Sequence, residues 1–241
     1  MPTTKLHPSI SIFFPCYNDR ETIKNLVHDA YVTLKKITNH PEVIVIDDGS
    51  TDGSRELLHQ LKKTTFPQLK LIFHATNKGY GAVLQSGFTA AKGDLIAYTD
   101  GDGQYDIRQL PRLLTLMGGD VSFVNGIKEE RHDPLLGVVL GNMYKFIARW
   151  MFWLPIIDVD CDFRLIRKEI AKQIRLTTTS GAVCVCLVKK AQLRGPIFAE
   201  VTVSHFPRLH GQSQFFTLPR LIHTLTEFLW LWVNLMLLGK N

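Results

Sequence analysis

The chain has 241 residues, of which 45% are hydrophobic and 21% charged, and a formal net charge of +6. That is enough apolar chain for a substantial core and too little compositional bias for a disordered polymer. The basic excess suits a polyanionic partner; because Lys and Arg are dispersed, a phosphorylated substrate or an anionic lipid fits it better than nucleic acid does.

The predicted elements alternate. Residues 9–14, Ser-Ile-Ser-Ile-Phe-Phe, read as a buried strand that ends at Pro15-Cys-Tyr-Asn-Asp19. The spacing of Ile23, Leu26, Val27, Ala30, Leu34 and Ile37 predicts a helix over roughly 21–37. A second strand, 42–46, runs into Asp47-Asp-Gly-Ser-Thr-Asp-Gly-Ser54, and Ser50, Thr51 or Asp52 is expected to cap the helix that follows. A third strand, 69–73, leads through His74-Ala-Thr-Asn-Lys-Gly-Tyr-Gly81 to a helix of small residues ending near Lys92. The fourth strand, Leu95-Ile-Ala-Tyr98, delivers Asp100-Gly-Asp-Gly-Gln104. This alternation argues for a doubly wound, mostly parallel α/β sheet with helices on both faces, and the loops after strands one, two and four should meet on one rim.

Asp100 and Asp102 flank a glycine, with the amide of Gln104 two residues further on. At a strand end this spacing turns hard oxygen ligands toward one point, the donor set of Mg²⁺ or Mn²⁺. A solvated Asp/Gly turn is the alternative. No Gly-x-Gly-x-x-Gly opens the first helix and no Gly-Lys-Ser/Thr occurs, which sets aside dinucleotide redox enzymes and P-loop hydrolases. A nucleotide held by side chains and a metal is what remains.

In the second half, 120–124 and 196–203 read as strands. Residues 135–153 are apolar and aromatic, charged only at Lys145 and Arg149, and fit a helix at a lipid surface, with core packing as the alternative. Residues 218–238 hold another apolar stretch whose uncharged part, Phe228 to Leu238, is 11 residues against the roughly 20 of a spanning helix. It fits an interfacial helix with Trp230 and Trp232 near the headgroups, or a helix docked on the core or on a partner chain. Cys16, Cys161, Cys184 and Cys186 form no pair of Cys-x-x-Cys units, and the N-terminus carries no secretory pattern, so reduced thiols in the cytoplasm are expected.

Pro15-Cys-Tyr-Asn-Asp19, Asp47-Asp-Gly-Ser-Thr-Asp52, Asn77-Lys-Gly-Tyr-Gly81, Ala91-Lys-Gly-Asp94 and Asp100-Gly-Asp-Gly-Gln104 resemble, in order and spacing, the nucleotide-sugar half of family-2 inverting glycosyltransferases of GT-A fold. Later segments resemble the branch that loads sugars onto polyprenyl phosphates, the dolichol-phosphate mannose synthase type. The resemblance covers about residues 9–216. It implies a GT-A domain over 1–216, with a nucleotide-sugar half to about 119 and an acceptor half from about 120, followed by a membrane-interface helix over 217–241. The implied donor contacts are Pro15, Tyr17, Asp19 (where the family usually has Glu), Asp48, Lys78 and Gly101. Asp100, Asp102 and Gln104 would hold the metal at the diphosphate. Lys128 and Arg131 stand at the basic positions of a phosphate loop, and Arg208, with Ser213 nearby, would grip diphosphate or acceptor phosphate. Asp158, a candidate catalytic residue, lies in Asp158-Val-Asp-Cys-Asp-Phe-Arg164, where the family has glycine at position 162, so Asp162 is expected to change the backbone conformation or charge of this loop.

Related enzymes often place an acid near position 186, where this chain has Cys186. A hydroxyl acceptor needs a base, whereas a phosphate acceptor is already ionised, with a second pKa of about 6. The expectation is therefore metal-dependent transfer of a sugar from a UDP- or GDP-sugar to a polyprenyl phosphate at the cytoplasmic membrane face. Transfer to a glycan or other hydroxyl, or a non-catalytic nucleotide-sugar-binding membrane subunit, stand as alternatives.

Overall fold

The computed structural model describes residues 8–129, 135–208 and 217–239. Strands and helices alternate through β1 (Ile10–Cys16), α1 (Arg20–Ile37), β2 (Pro41–Asp47), α2 (Ser54–Thr64), β3 (Lys70–Phe73), α3 (Tyr80–Ala90), β4 (Leu95–Tyr98) and α4 (Leu110–Leu116). The chain continues with β5 (Val121–Lys128), α5 (Leu135–Phe152), β6 (Arg164–Arg167), α6 (Lys168–Gln173), α7 (Val183–Gln192), β7 (Ile197–Val203) and α8 (Leu218–Trp232). A π-helical turn over Val233–Leu237 extends α8.

The seven strands form one sheet in the order β3-β2-β1-β4-β6-β5-β7. All neighbouring pairs are parallel except those of β6, which runs antiparallel to both β4 and β5. The doubly wound reading is borne out, and β6 is its one exception. Only four residues long, β6 lacks the length that gives a strand a pattern of its own. The direction of winding reverses between β1 and β4, so a crevice opens beyond their carboxyl ends.

Strand period 2 divides the core between the two sheet faces. Ile10, Ile12 and Phe14 of β1 pack with α1, α2 and α4, together with Val43 and Val45 of β2. Phe13, Ile44 and Ile46 point the other way, into a cluster with α3, α5, α7 and α8. There Phe13 stacks on Tyr98 with ring centroids 5.2 Å apart, and Phe88 meets both rings edge-on.

The helix expected after the second strand is capped differently. Gly53 occupies its N-cap, and Asp52, one residue further out, accepts hydrogen bonds from the Ser54 amide and hydroxyl. The other Asp52 oxygen accepts from the Arg20 amide at the start of α1, so one carboxylate serves two helix ends.

The C-terminal helix docks on the core. Phe228, Leu231 and Leu235 are buried, and the Phe228 ring sits against Phe152 (5.1 Å) and Tyr144 (5.7 Å) of α5. Trp232 donates its indole N–H to the Met151 carbonyl at 3.0 Å. The outer faces of the two helices remain exposed and apolar: Phe146, Trp150 and Trp153 are about three-quarters exposed, and Leu218, Ile222, Leu225 and Trp230 more than half. Among the described residues no helix is long and apolar enough to cross a membrane.

Docking makes Phe228 a core residue. Phe228→Ala should cost about 3–5 kcal/mol and lower the melting temperature by roughly 10 °C, read by thermal denaturation. A change within a degree or two would mean that α8 is an appendage.

Candidate active site

The loops after β1, β2 and β4 line a single cavity of about 380 Å³ at the reversal of winding. Hydrogen bonds between loops build it. Asn18, held at φ 59° in the left-handed region, donates its amide to the Ser50 hydroxyl and accepts the Thr51 amide on its side-chain oxygen, fastening the first loop to the second. Asp47, fully buried, is paired with Arg55 and accepts the Gly49 and Ser50 amides. Asp48 receives the Lys78 amide at 2.9 Å, the Gly79 amide at 3.0 Å and the His74 ring nitrogen at 2.6 Å. Asp48 therefore lines the cavity mainly as the clamp that shapes the 77–79 turn.

Two glycines of the motifs are demanded by close approach. A Cβ on Gly101 would lie 2.3 Å from the Pro15 carbonyl oxygen, and one on Gly81 would lie 1.8 Å from that of Thr178. The first lets the ends of β1 and β4 touch; the second lets the 177–181 loop cross the start of α3.

At the floor of the cavity lie three acids. The Tyr80 hydroxyl donates to Asp100 at 2.5 Å. Asp102 accepts the Gln104 amide at 3.0 Å on one oxygen and the Arg208 guanidinium on the other. Burial, then repulsion from Asp162 and Asp102, pushes the Asp100 carboxyl well up. Burial also raises Asp102, against the opposing charge of Arg208. Asp19, whose carboxylate accepts the Tyr17 amide at 3.0 Å, is pushed up to about 7, chiefly by burial and further by Asp102.

Of the residues singled out from sequence, Pro15, Tyr17, Asp19, Asp48, Lys78, Asp100, Gly101, Asp102 and Arg208 all border this cavity. Three do not. Gln104 was expected as a metal ligand, but its side-chain amide donates to the Phe206 carbonyl at 3.1 Å. With the Phe206 amide donating back to the Gln104 carbonyl and the bridge between Tyr105 and His205, Gln104 anchors the segment that carries Arg208 to Asp102. Asp158 is buried at the end of β5, where it accepts the Lys128 amide and faces the Lys145 ammonium at 3.6 Å. Lys128 reaches Asp160 at 3.0 Å. These two form structural pairs beside the cavity. Arg131 and Ser213 lie outside the described residues.

Asp162, at the position where glycine was expected, turns inward as the counter-ion of Arg164, 3.4 Å away and fully buried. Arg164 also donates to Asn125, the Val159 carbonyl and Tyr98. Sequence reasoning also missed Tyr80 as the partner of Asp100, although Tyr80 stands inside a quoted motif. It missed a second part of the cavity's lining as well, Thr179, Ser180 and Gly181 with Arg220, His223 and Thr224 of α8. These meet the motifs only through the tertiary fold. Cys186 is fully buried in α7, with its sulfur 3.7 Å from the Thr177 hydroxyl.

The model of glycosyl transferase family 2 matches residues 11–175. An undecaprenyl-phosphate 4-deoxy-4-formamido-L-arabinose transferase of Yersinia enterocolitica is 27% identical over 222 residues, 91% of this chain and 66% of the relative. Its counterpart in Pseudomonas savastanoi is 25% identical over 206 residues, 86% of this chain and 60% of the relative. The chain thus spans just under two thirds of the length of the curated relatives it matches. Among solved structures, glucosyl-3-phosphoglycerate synthase of Mycobacterium tuberculosis with Mn²⁺, UDP and phosphoglyceric acid superposes with a TM-score of 0.68 at 16% identity, covering 94% of this chain and 78% of that one. A mannosyltransferase of Pyrobaculum calidifontis with GDP-Man and Mn²⁺ gives 0.68 at 17% identity, covering 94% and 65%. These likenesses bear out the expected GT-A fold.

The raised acids set a pH dependence. A carboxyl raised in the folded state contributes its full stability below its ordinary value, here 3.8, and that contribution is lost as pH climbs to about 7. Asp19→Asn should therefore melt a few degrees above the wild type near pH 8 and level with it near pH 4, both without added metal. An equal or lower melting temperature near pH 8 would contradict the burial of this charge.

Proposed function

The chain belongs to glycosyl transferase family 2, and from that premise we propose that it transfers a sugar from a UDP- or GDP-sugar to a polyprenyl phosphate, dolichyl or undecaprenyl, at the cytoplasmic face of a membrane. One observation carries the reading: Asp100 and Asp102, the latter paired with Arg208, line a cavity that is also bordered by α8, a helix with an exposed apolar back. The names of the 27%-identical relatives point the same way.

A divalent cation fits the residues present. Among the described residues no group of three or more His, Cys, Asp or Glu is poised for a metal. Asp100 and Asp102 supply two hard carboxylates, and Mg²⁺ is commonly held by one or two carboxylates together with substrate phosphate oxygens. Both carboxyls are raised by burial, the electrostatic state that a cation relieves. When bound, Mg²⁺ or Mn²⁺ would offset the negative charge gathering on the departing diphosphate.

The remaining work falls to side chains. Pro15 and Tyr17 border the space for base and ribose, and the 77–79 turn clamped by Asp48 shapes its edge. Arg208, steered by Gln104, brings positive charge to the acid pair, where the diphosphate would lie. An acceptor phosphate oxygen attacks the anomeric carbon as the bond to the nucleoside diphosphate breaks on the opposite face, inverting configuration. The phosphate arrives ionised, so the loss of an acid at Cys186 is tolerated. The exposed aromatic faces of α5 and α8 would rest in the headgroup region.

A hydroxyl acceptor is the second reading, favoured by Asp19, whose pKa near 7 suits a general base. Labelled UDP- and GDP-sugars incubated with undecaprenyl phosphate or with hydroxyl acceptors separate the two. Label should pass to the lipid phosphate, and Asp102→Ala should cut the rate by about a hundredfold or more. Transfer to hydroxyls alone, or full activity of Asp102→Ala, would overturn the proposal.

A further inference from the structure

Tyr80 opens α3 between two pinned residues. On one side the Gly79 amide donates to Asp48 at 3.0 Å; on the other the Gly81 amide donates to the Thr179 carbonyl at 3.3 Å. The Tyr80 ring packs against the core cluster shared by α3, α5, α7 and α8, and it borders the cavity. Backbone and ring are both held, so the place of the hydroxyl is fixed before any ligand arrives.

That hydroxyl limits what the acid pair can offer. It donates to one Asp100 oxygen at 2.5 Å, and one Asp102 oxygen accepts the Gln104 amide of its own turn at 3.0 Å. Neither donor can leave without rebuilding its segment. Arg208, on the other Asp102 oxygen, differs: its side chain is 27% exposed and can shift aside for a cation. Each carboxylate is thus left with one oxygen for a metal, and the other ligands must be diphosphate oxygens and water. Mg²⁺ and Mn²⁺ suit that supply, because a small octahedral ion is commonly held by one or two carboxylates with phosphate and water. Ca²⁺ takes roughly six to eight oxygens and often both oxygens of one carboxylate.

We propose that Tyr80 determines which cation the acid pair accepts: by holding one Asp100 oxygen, its hydroxyl confines Asp100 to a single ligand oxygen and favours Mn²⁺ or Mg²⁺ over Ca²⁺. That a cation binds here at all rests on the reading in the preceding subsection; the selectivity rests on the clamped hydroxyl. Tyr80 touches a ligand and no reacting atom, so it is a positioning residue. Removing the hydroxyl frees a second Asp100 oxygen, from which the larger ion gains more than the small one.

Calorimetric titration of the full chain with UDP and with GDP, each in excess Mn²⁺, Mg²⁺ or Ca²⁺, tests this. Wild type should bind one of the nucleotides at least about tenfold more tightly with Mn²⁺ than with Ca²⁺. Tyr80→Phe, which keeps the ring and its packing, should shrink that margin to about threefold or less through a gain with Ca²⁺. A parallel loss with every cation would make Tyr80 merely structural and overturn the assignment, as would an unchanged margin. So would a wild type that binds equally well with Ca²⁺ and Mn²⁺, a result that needs no variant. Nucleotide binding that is the same with no divalent ion at all would instead refute the cation site of the preceding subsection, and the selectivity with it.

Discussion

The structure depends on holding carboxylates together where burial and mutual repulsion both oppose their charge. Asp19, Asp100, Asp102 and Asp162 come from the ends of β1 and β4 and from the approach to β6, and each is raised by burial before any other cause. Among the described residues, two arginines stand against them in contact: Arg208 on Asp102 and Arg164 on Asp162. Such a concentration of like charge is costly unless it serves a ligand. The surroundings are correspondingly rigid, with Gly101 packed against the Pro15 carbonyl and Tyr80 fixing Asp100.

The two arginines differ in what they serve. Arg164 is fully buried and spends its donors on Asn125, Val159 and Tyr98, so its pairing with Asp162 belongs to the junction of β4, β5 and β6. Arg208 arrives from the far end of the chain, aligned by the exchange of backbone hydrogen bonds around Gln104 and Phe206, and remains partly open to the cavity. A cation bound at Asp100 and Asp102 would share that point with Arg208, linking the electrostatics of the donor site to the segment that follows β7.

Much of this was legible because it is local. The strands β1 to β4 show in their apolar runs, and the motif glycines mark close approaches that no side chain would permit. By position Gln104 reads as a metal ligand, Lys128 as a phosphate contact and Asp158 as a site residue, and each has a structural partner in the fold: Phe206, Asp160 and Lys145. Asp162 read as a perturbed loop because its partner's burial is a tertiary fact. For the terminal helix, docking and interfacial exposure were set as alternatives, whereas the structure has both a core-packed face and a bare apolar one. The sequence pattern marks the helix as amphipathic, but only the fold brings Arg220 and His223 to the cavity lined by the loops after β1, β2 and β4.

The central claim, that the paired acids at the end of β4 hold a cation for a nucleoside diphosphate, is tested most directly by thermal shift of the full chain with UDP and with GDP, each with and without Mn²⁺. A ligand that binds only the folded state adds about 2.7 kcal/mol at a hundred times its dissociation constant, a rise of roughly 5–10 °C for a chain of this size. The account predicts such a rise with one of the two nucleotides, dependent on Mn²⁺ and absent in Asp100→Asn. An equal rise without the ion, or none with either nucleotide, would contradict it.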